Sequence, residues 1–239
     1  MIIIDWSFPT AEENLACDEA LLDLCEVGGS PEILRFWEPH QHFVVLGFSN
    51  RHREEANLSA CRELGVPILR RCSGGGTVLQ GPGCLNFALL LKIETPGPLD
   101  NIAATNRFIL NRHRQLLQQL LGSPISLQGA TDLTLDDLKF SGNSQRRRRH
   151  WLLFHGTFLL NLKLALLEEL LPLPRRQPAY RKGRPHHRFV TNLPLGATRL
   201  KDALGQLWNA AEPCPTIPID RIQELVATRY SKQEWNFRY

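Results

Sequence analysis

The sequence predicts an α+β fold in a single domain. Its 239 residues are 43% hydrophobic and 22% charged, the composition of an ordinary globular protein that can bury a sizeable core. Adjacent strand patterns are mixed with helical patterns, and this succession favours α+β over a strictly alternating α/β fold. The longest apolar runs are far shorter than the roughly 18 residues of a membrane span. We expect one domain over residues 1–239, with a core at about 30–215 and closing helices and a C-terminal segment at 198–239.

The first part of the chain contains the elements that lead up to a glycine-dense turn. Apolar side chains recur at helical spacing from Leu15 to Leu24. Two runs rich in β-branched and aromatic residues flank the turn-forming stretch Glu38-Pro39-His40. A later apolar run is nearly continuous, as in a strand buried on both faces. These patterns predict a helix at 11–25, strands at 33–37 and 43–46, a short helix at 57–64, a strand at 66–69 and a buried strand at 85–92.

The second part of the chain alternates between long helices and a strand-rich middle. Apolar residues repeat at helical spacing over 102–121, which predicts the longest helix. Pro172 ends a further helical pattern, and the stretch 177–188, rich in Pro, Arg, Lys and His, is typical of a surface loop. The remaining patterns predict strands at 132–140 and 158–162 that flank a basic loop, a helix at 164–171, and closing helices at 200–211 and 220–230.

Cysteine usage and charge exclude several classes of protein. Six cysteines are scattered without a CxxC pair, so we expect reduced thiols in the cytoplasm and no zinc site. The segment Met1–Asp5 has no basic region and no small-residue cleavage site, so we expect no secretory signal. The net charge of +4 is mild, and the basic run Arg146–Arg149 has no interleaved aromatic residues. We therefore expect no nucleic acid and no membrane as partners, and a solvated loop or a contact for an acidic protein at this run.

The most distinctive local feature is the segment Arg70-Arg71-Cys72-Ser73-Gly74-Gly75-Gly76-Thr77-Val78. Three consecutive glycines after a strand permit left-handed backbone angles and a close approach to a ligand. Backbone N–H groups in such a turn can bind an anion, and two arginines lie beside it. The alternative is a bulged turn between strands with solvated arginines. The spacing is neither that of a P-loop nor that of a dinucleotide-binding motif.

Two further segments contain residues suited to catalysis. Lys139 stands in the apolar strand pattern Leu138-Lys139-Phe140, where an ammonium without an anionic partner would be costly to bury. It either faces a carboxylate or phosphate of a ligand or lies on a solvated strand face. Asp132, just upstream, could hold Mg²⁺ together with substrate phosphates, or Asp132 and its acidic neighbours could simply form turns. His155 before a glycine could orient a reacting group or be a structural histidine.

Taken in order, the motifs resemble the lipoate–protein ligase family within the biotin/lipoate ligase superfamily. The resemblance covers most of the chain. It rests on Glu13-Asn-Leu-Ala16, Phe36-Trp37, Val44-Val-Leu-Gly47, the glycine segment at 70–76, Asp132-Leu133, Lys139-Phe-Ser-Gly-Asn-Ser144, His155-Gly-Thr157, Leu159-Leu-Asn161, Val190-Thr-Asn-Leu193 and Glu234-Trp-Asn-Phe237.

The resemblance implies a mixed, largely antiparallel sheet flanked by helices, as in the catalytic core of class II aminoacyl-tRNA synthetases. It implies that ATP and lipoate, or octanoate, form an acyl-adenylate, and that the acyl group then passes to a lysine of an acceptor domain. Lys139 would be the catalytic residue, and Asp132 would be a candidate Mg²⁺ ligand. The residues expected to bind substrate or nucleotide are Arg71, Ser73, Gly74, Gly75, Gly76, Thr77, Val78, Leu79, Asn86, Asp132, Ser141, Gly142, His155, Gly156 and Thr157.

The same resemblance implies protein partners. The acceptors would be lipoyl domains of 2-oxoacid dehydrogenase complexes or the H protein of glycine cleavage. Many bacterial ligases carry an accessory C-terminal domain, but the matching motifs here end at Glu234–Phe237. This leaves two alternatives: a separate accessory protein, or catalysis of the transfer step alone.

The competing interpretation is an ATP-independent octanoyl- or lipoyltransferase, because Gln80-Gly-Pro-Gly83 is similar to a motif of that group. Such enzymes use a cysteine thiolate. No cysteine lies between Cys84 and Cys214, which argues against this chemistry, and Cys72 and Cys84 are expected to be small buried side chains. A biotin ligase is disfavoured because its loop usually reads Gly-Arg-Gly-Arg, and the intact Lys139 motif disfavours a non-enzymatic binding module.

Overall fold

Strands dominate the middle of the molecule and helices cover both faces. The structure is a computed structural model that describes residues 1–28, 30–213 and 216–239. Its strands are β1 (Ile2–Asp5), β2 (Ile33–Trp37), β3 (Phe43–Leu46), β4 (Ile68–Arg70), β5 (Val78–Gln80), β6 (Cys84–Lys92), β7 (Ile125–Gln128), β8 (Asp132–Leu135), β9 (Leu138–Arg147), β10 (Trp151–Leu159) and β11 (Glu212–Pro213). Its helices are α1 (Ala11–Val27), α2 (His52–Glu55), α3 (Leu58–Glu63), α4 (Ile102–Leu121), α5 (Ala165–Leu170), α6 (Ala197–Leu207), α7 (Ile219–Leu225) and α8 (Gln233–Asn236).

The described strands form two sheets. The larger sheet has the order β11-β1-β2-β6-β10-β9-β8-β7, and the smaller has the order β4-β3-β5. Strand β1 runs parallel to both of its neighbours and β3 runs parallel to β4, whereas the other ladders are antiparallel. The expected α+β architecture with a mixed, largely antiparallel sheet flanked by helices is confirmed.

Side-chain alternation along the central strands sends neighbouring residues to opposite faces of the large sheet. In β2, Ile33 and Trp37 pack on the face covered by α1, whereas Leu34 and Phe36 pack on the face covered by α4 and α6. The same alternation places Arg35 on the α1 face, where it is fully buried. This face, between the large and small sheets, also holds the cavity described below.

The two longest helices begin at side-chain caps that the sequence provides. Thr10 and Glu13 form a reciprocal capping box at the start of α1. Asn101 accepts a hydrogen bond from the backbone N–H of Ala104 at the start of α4, which ends at Gly122 in the left-handed conformation. These local signals explain why the predicted helix boundaries at 11 and at 102–121 are confirmed.

The structure differs from the prediction around β8 and β9. The strand expected at 132–140 is two strands, because Asp136 and Asp137 adopt positive φ angles of 50° and 61° and form a tight hairpin turn. The two acidic residues are therefore turn formers. Beyond the turn, β9 continues through Arg147 and β10 begins at Trp151, so most of the expected loop between the strands predicted at 132–140 and 158–162 is strand, and only residues 148–150 connect β9 to β10.

The closing helices also differ in extent. Helix α6 covers Ala197–Leu207 rather than 200–211, and the last long pattern divides into α7 and a π-helical turn at Val226–Tyr230. Cys214 lies outside the described residues. No helix in the described ranges is long and apolar enough to cross a bilayer.

Candidate active site

A cavity of about 240 Å³ lies on the α1 face, and it brings together motifs that are far apart in the sequence. The glycine loop, β9, β10 and the segment 172–190 each contribute to its wall. Of the predicted site residues, those that line it are Arg71, Gly75, Gly76, Thr77, Val78, Leu79, Asn86, Asp132, Lys139, Ser141, Gly142, His155, Gly156 and Thr157. Ser73, which is buried, and Gly74, which is exposed, do not line it.

The glycine loop is folded around the side chain of Arg71. Its guanidinium donates to the carbonyl oxygens of Gly74 at 2.5 Å and Gly76 at 2.9 Å, and its Nε donates to the Ser73 hydroxyl at 3.1 Å. Gly75 has a φ of +90°, and a Cβ there would lie 2.9 Å from Arg71 Nη2, so this position requires glycine. Burial lowers the pKa of Arg71 to about 10, which still leaves it charged at neutral pH. The loop therefore presents a buried cation to the cavity with only neutral partners, an arrangement suited to an anionic ligand.

Lys139 forms an ion pair with Asp132. The distance between Lys139 Nζ and Asp132 Oδ1 is 2.8 Å, and the Tyr180 hydroxyl donates to Asp132 Oδ2 at 2.7 Å. A Cβ at Gly142 would lie 2.9 Å from Lys139 Nζ, so the glycine leaves room for the ammonium. In the sequence, Lys139 stands between apolar residues without an obvious partner. In the structure it is paired with a carboxylate of the protein itself.

Tyr180 is a site residue that the sequence analysis missed. Burial and the neighbouring Asp132 carboxylate raise the pKa of its phenol, so the hydroxyl remains a donor. The stretch 177–188 is not a simple surface loop either, because Arg181 is buried, stacks on Phe189 at 4.5 Å and lines the cavity. The abundance of Pro and basic residues had favoured solvent exposure; only the fold shows that this segment closes one side of the cavity.

His155 is held by side chains on both of its ring nitrogens. Nδ1 lies 3.1 Å from Asp18 Oδ2, and Nε2 lies 2.6 Å from Ser73 Oγ. Asp18 is a second residue that the sequence analysis missed, although it follows the recognised motif Glu13–Ala16 by two positions. The histidine is therefore a connecting group between α1 and the glycine loop.

Asn86 and Thr157 are bonded to each other rather than free for a ligand. Gln80 Nε2 donates to Thr157 Oγ1 at 2.6 Å, Thr157 donates to Asn86 Oδ1 at 2.5 Å, and Asn86 Nδ2 donates to Gln80 Oε1 at 3.0 Å. This closed ring of hydrogen bonds joins β5, β6 and β10. It gives the cavity a rigid polar corner.

The basic run at 146–149 is mostly engaged within the protein. Arg146 stacks over Phe48 at 5.6 Å, Arg147 donates to the Leu99 carbonyl at 2.7 Å, and Arg148 pairs with Asp23 at 2.6 Å. The expectation of a solvated loop is wrong for these three residues, because carbonyl, carboxylate and aromatic partners lie beside the hairpin. Within the run, only Arg149 is exposed to solvent.

The described cysteines are buried, and none of them lines the cavity. Burial raises the pKa of the Cys84 thiol to about 12, and burial together with the Glu19 and Asp18 carboxylates does the same for Cys72. Both thiols are therefore protonated at neutral pH and poor nucleophiles. The expected role of these two residues as small buried side chains agrees with this placement.

Asp132 is the one carboxylate that was expected to bind a metal. Among the described residues, no group of three or more His, Cys, Asp and Glu side chains is arranged to hold a metal ion. Both oxygens of Asp132 already accept hydrogen bonds, from Lys139 and Tyr180. A cation here would need most of its ligands from a bound phosphate, as is usual for Mg²⁺.

Comparison with known proteins finds relatives named as lipoate ligases and relatives named as octanoyltransferases. "Probable lipoate-protein ligase A" of Mycoplasma pneumoniae is 24% identical over 94% of this chain and 67% of its own length, so the chain spans about two thirds of that relative. "Octanoyltransferase LipM" of Brevibacillus brevis is 25% identical over 94% of both chains.

Solved structures share the fold. A bi-partite lipoate protein ligase from Thermoplasma acidophilum, studied with its E2 lipoyl domain, has a TM-score of 0.83 at 22% identity and covers 99% of this chain and 95% of its own. A lipoate-protein ligase A bound with ATP has a TM-score of 0.84 at 22% identity, covering 99% of this chain and 98% of its own. The family of the lipoyl protein ligase A/B catalytic domain matches residues 10–216. Because this match covers most of the chain, the protein belongs to the lipoyl protein ligase A/B catalytic domain family.

Proposed function

We propose that this chain is an ATP-dependent lipoate–protein ligase, with one catalytic domain over residues 1–239. The proposal rests on one observation: Lys139 and Arg71 converge on a cavity that no cysteine of the described residues lines. Fixed cations suit the formation of an acyl-adenylate, whereas a thioester mechanism needs an accessible thiolate.

The reaction brings two anions together, and the cavity supplies the charge to offset them. The carboxylate of lipoate or octanoate attacks the α-phosphate of ATP, forming an acyl–phosphate anhydride and releasing pyrophosphate. Lys139 would leave Asp132 and contact both the carboxylate and the α-phosphate, while Arg71 and the glycine loop hold the nucleotide. In the second step, the acceptor amine attacks the same carbonyl, an amide forms, and AMP leaves. Lys139 would again polarise the carbonyl.

The apolar part of the cavity would bind the acyl chain. Leu15, Trp37, Val45 and Val78 line the wall near the glycine loop and offer an apolar surface. An eight-carbon chain would bury its methylene groups there, each contributing about 0.8 kcal/mol. Holding both substrates in one orientation would supply much of the remaining rate acceleration.

ATP and Mg²⁺ are the cofactors that this proposal requires. The ion would lie mainly on the phosphates, with Asp132 as the candidate protein ligand once Lys139 has moved to the substrate. There it would shield the charge of the leaving pyrophosphate.

The proposed acceptors are lipoyl domains of 2-oxoacid dehydrogenase complexes or the H protein of glycine cleavage, in the cytoplasm. The bi-partite ligase of Thermoplasma acidophilum, studied with its lipoyl domain, supports both this class of partner and a separate accessory protein.

The second candidate is an ATP-independent octanoyl- or lipoyltransferase, and the similarity to LipM favours it. The buried, protonated Cys72 and Cys84 disfavour it. One experiment separates the two. The protein is incubated with a lipoyl domain and lipoate or octanoate, with and without ATP and Mg²⁺, and parallel samples receive octanoyl thioester instead of free acid.

For a ligase, intact-mass spectrometry of the acceptor should detect acylation only with ATP, and pyrophosphate should appear in equal amount. Acylation from the thioester without ATP would overturn the ligase proposal in favour of the transferase. A third set of samples receives preformed acyl-adenylate, and acylation in that set alone would restrict the activity to the transfer step.

A further inference from the structure

A row of buried polar side chains leads from the interior of the large sheet to the glycine loop. Arg35 on β2 is paired with Asp18 on α1, Asp18 Oδ2 lies 3.1 Å from His155 Nδ1, and His155 Nε2 lies 2.6 Å from Ser73 Oγ. The row ends where Ser73 Oγ accepts a hydrogen bond from Arg71 Nε at 3.1 Å. Four separate parts of the chain thus meet in one continuous set of hydrogen bonds.

The ion pair between Arg35 and Asp18 determines which ring nitrogen of His155 carries a proton. Arg35 is fully buried and Asp18 is 2% exposed. The guanidinium occupies Oδ1 of the carboxylate and also donates to Asn14 Oδ1 at 2.9 Å. A carboxylate that faces a guanidinium only accepts hydrogen bonds, so Oδ2 requires a proton on His155 Nδ1.

The tautomer then determines the direction of the hydrogen bond between His155 and Ser73. A neutral imidazole with its proton on Nδ1 has an acceptor at Nε2, and the Ser73 hydroxyl donates to it. The lone pairs of Ser73 Oγ remain available for Arg71 Nε. With the proton on Nε2 instead, Ser73 Oγ would accept from both His155 and Arg71, and its own buried hydroxyl proton would lose His155 as an acceptor. The Nδ1–H tautomer therefore satisfies Ser73 fully beside Arg71, whose Nη2 also donates to the carbonyls of Gly74 and Gly76.

We propose that Asp18 is a positioning residue that holds His155 in the Nδ1–H tautomer and, through Ser73, orients Arg71 over the cavity. The inference deepens the proposed function and rests on it for its kinetic part. Asp18 acts on Arg71 through His155 and Ser73, and it also lines the cavity beside Leu15.

The geometry of Ser73, His155 and Asp18 does not fit a role as a nucleophilic triad. Serine, histidine and aspartate in this order form the nucleophilic triad of many hydrolases. Here Ser73 is 1% exposed and is absent from the residues that line the cavity, and its oxygen is already occupied by Arg71. A substrate carbonyl cannot reach it, so the arrangement orients the loop and does not attack.

The direct test is Asp18→Asn, which keeps the size of the side chain. Its single carbonyl oxygen should face Arg35, so the amide N–H₂ would face His155 Nδ1 and force the proton to Nε2. Glu19→Gln is the matched control. Glu19 is the next residue of α1, is also buried, and accepts hydrogen bonds from Arg229 and from Tyr230 at 2.7 Å, with no bond to His155.

The tautomer is read by ¹⁵N NMR of histidine-labelled protein in slightly alkaline buffer, with His155→Gln used to assign the signals. We expect the Nδ1–H form in the wild type and in Glu19→Gln, and the Nε2–H form in Asp18→Asn. The KM for ATP should rise by roughly 10–10²-fold in Asp18→Asn, because a misplaced binding group costs up to about 10² in rate or affinity. It should stay unchanged in Glu19→Gln.

Two outcomes would overturn the inference: an Nε2–H tautomer in the wild type, or a switched tautomer with an unchanged KM. If Asp18→Asn does not fold, Ser73→Ala replaces it. That variant should raise the KM while His155 keeps its Nδ1–H signal, and an unchanged KM there would also refute the role. The NMR result needs no turnover, so a failure of the ligase proposal is recognised separately, by absence of pyrophosphate release from the wild type.

Discussion

Lys139 and Asp132 form an ion pair across the hairpin of β8 and β9, with 2.8 Å between Nζ and Oδ1. Asp132 pairs in register with Gly142, so no side chain separates the carboxylate from the ammonium. The pair holds Lys139 at the cavity in the free protein and supplies a neutralised resting state. A substrate phosphate would have to compete with Asp132 for the same ammonium.

We expect Lys139→Ala to slow both adenylate formation and acyl transfer by roughly 10²–10³-fold, because loss of one contact to developing charge typically costs about 2.7–4 kcal/mol. Lys139→Arg should fail as well, since a planar guanidinium does not replace a compact ammonium. Pyrophosphate release and transfer from preformed lipoyl-adenylate are measured on each variant. Near-normal rates in both steps would remove Lys139 from the mechanism.

Tyr180→Phe tests whether the phenol keeps the segment 172–190 closed over the cavity. It removes the hydrogen bond to Asp132, and a bond to a charged group contributes about 1.5–3 kcal/mol. We expect faster amide hydrogen exchange at 177–190 and a higher KM for ATP. Tyr239→Phe, at an exposed tyrosine, is the control and should change neither. Equal exchange in both variants would contradict the prediction.

Alkylation separates a ligase from a cysteine-dependent transferase. With pKa values of about 12, Cys72 and Cys84 are ionised to only about one part in 10⁵ at pH 7. We expect iodoacetamide to leave acylation of the lipoyl domain intact in the folded protein, and Cys84→Ser to retain activity. Rapid inactivation with a single carbamidomethyl group would show that one of the chain's thiols takes part in the reaction.

Because His113 is buried, we expect the folded protein to lose stability on mild acidification. Burial lowers its pKa to about 3, and its Nε2 accepts a hydrogen bond from Trp208 Nε1 at 2.9 Å. Below about pH 6.5 the unfolded chain binds a proton there that the folded protein excludes, so the free energy of unfolding falls as pH falls from about 6.5 to about 3. His113→Gln should flatten this slope in urea titrations, whereas His40→Gln, at an exposed position, should not.

The sequence predicted those elements whose signals come from residues close together along the chain. The helical period of α4 and the apolar run of β6 are each contained in a short window, and the positions predicted from them are confirmed. The cap at Asn101 is equally local, although it was not predicted. The glycine loop and Lys139 were identified as candidates for the same reason, and the fold brings them to one cavity.

Long-range pairings could not be predicted in this way. Asp18 and His155 are 137 positions apart, and the motif Glu13–Ala16 just before Asp18 does not reveal which distant residue its carboxylate pairs with. Arg181 and Arg147 looked solvated because composition does not reveal whether an arginine finds carbonyl or aromatic partners. Such partners are set by the packing of distant segments.

Arg70 lies beside the active-site loop but serves a different purpose. Its guanidinium donates to the carbonyls of Gly47, Phe48, Asn50, Trp235 and Asn236. Opening of α8 would strip this buried cation of two of its five carbonyl acceptors, those of Trp235 and Asn236. The residues around 235 and those at 47–50 should therefore unfold as one cooperative unit, so that stress on the last helix is transmitted to the strand from which the glycine loop emerges.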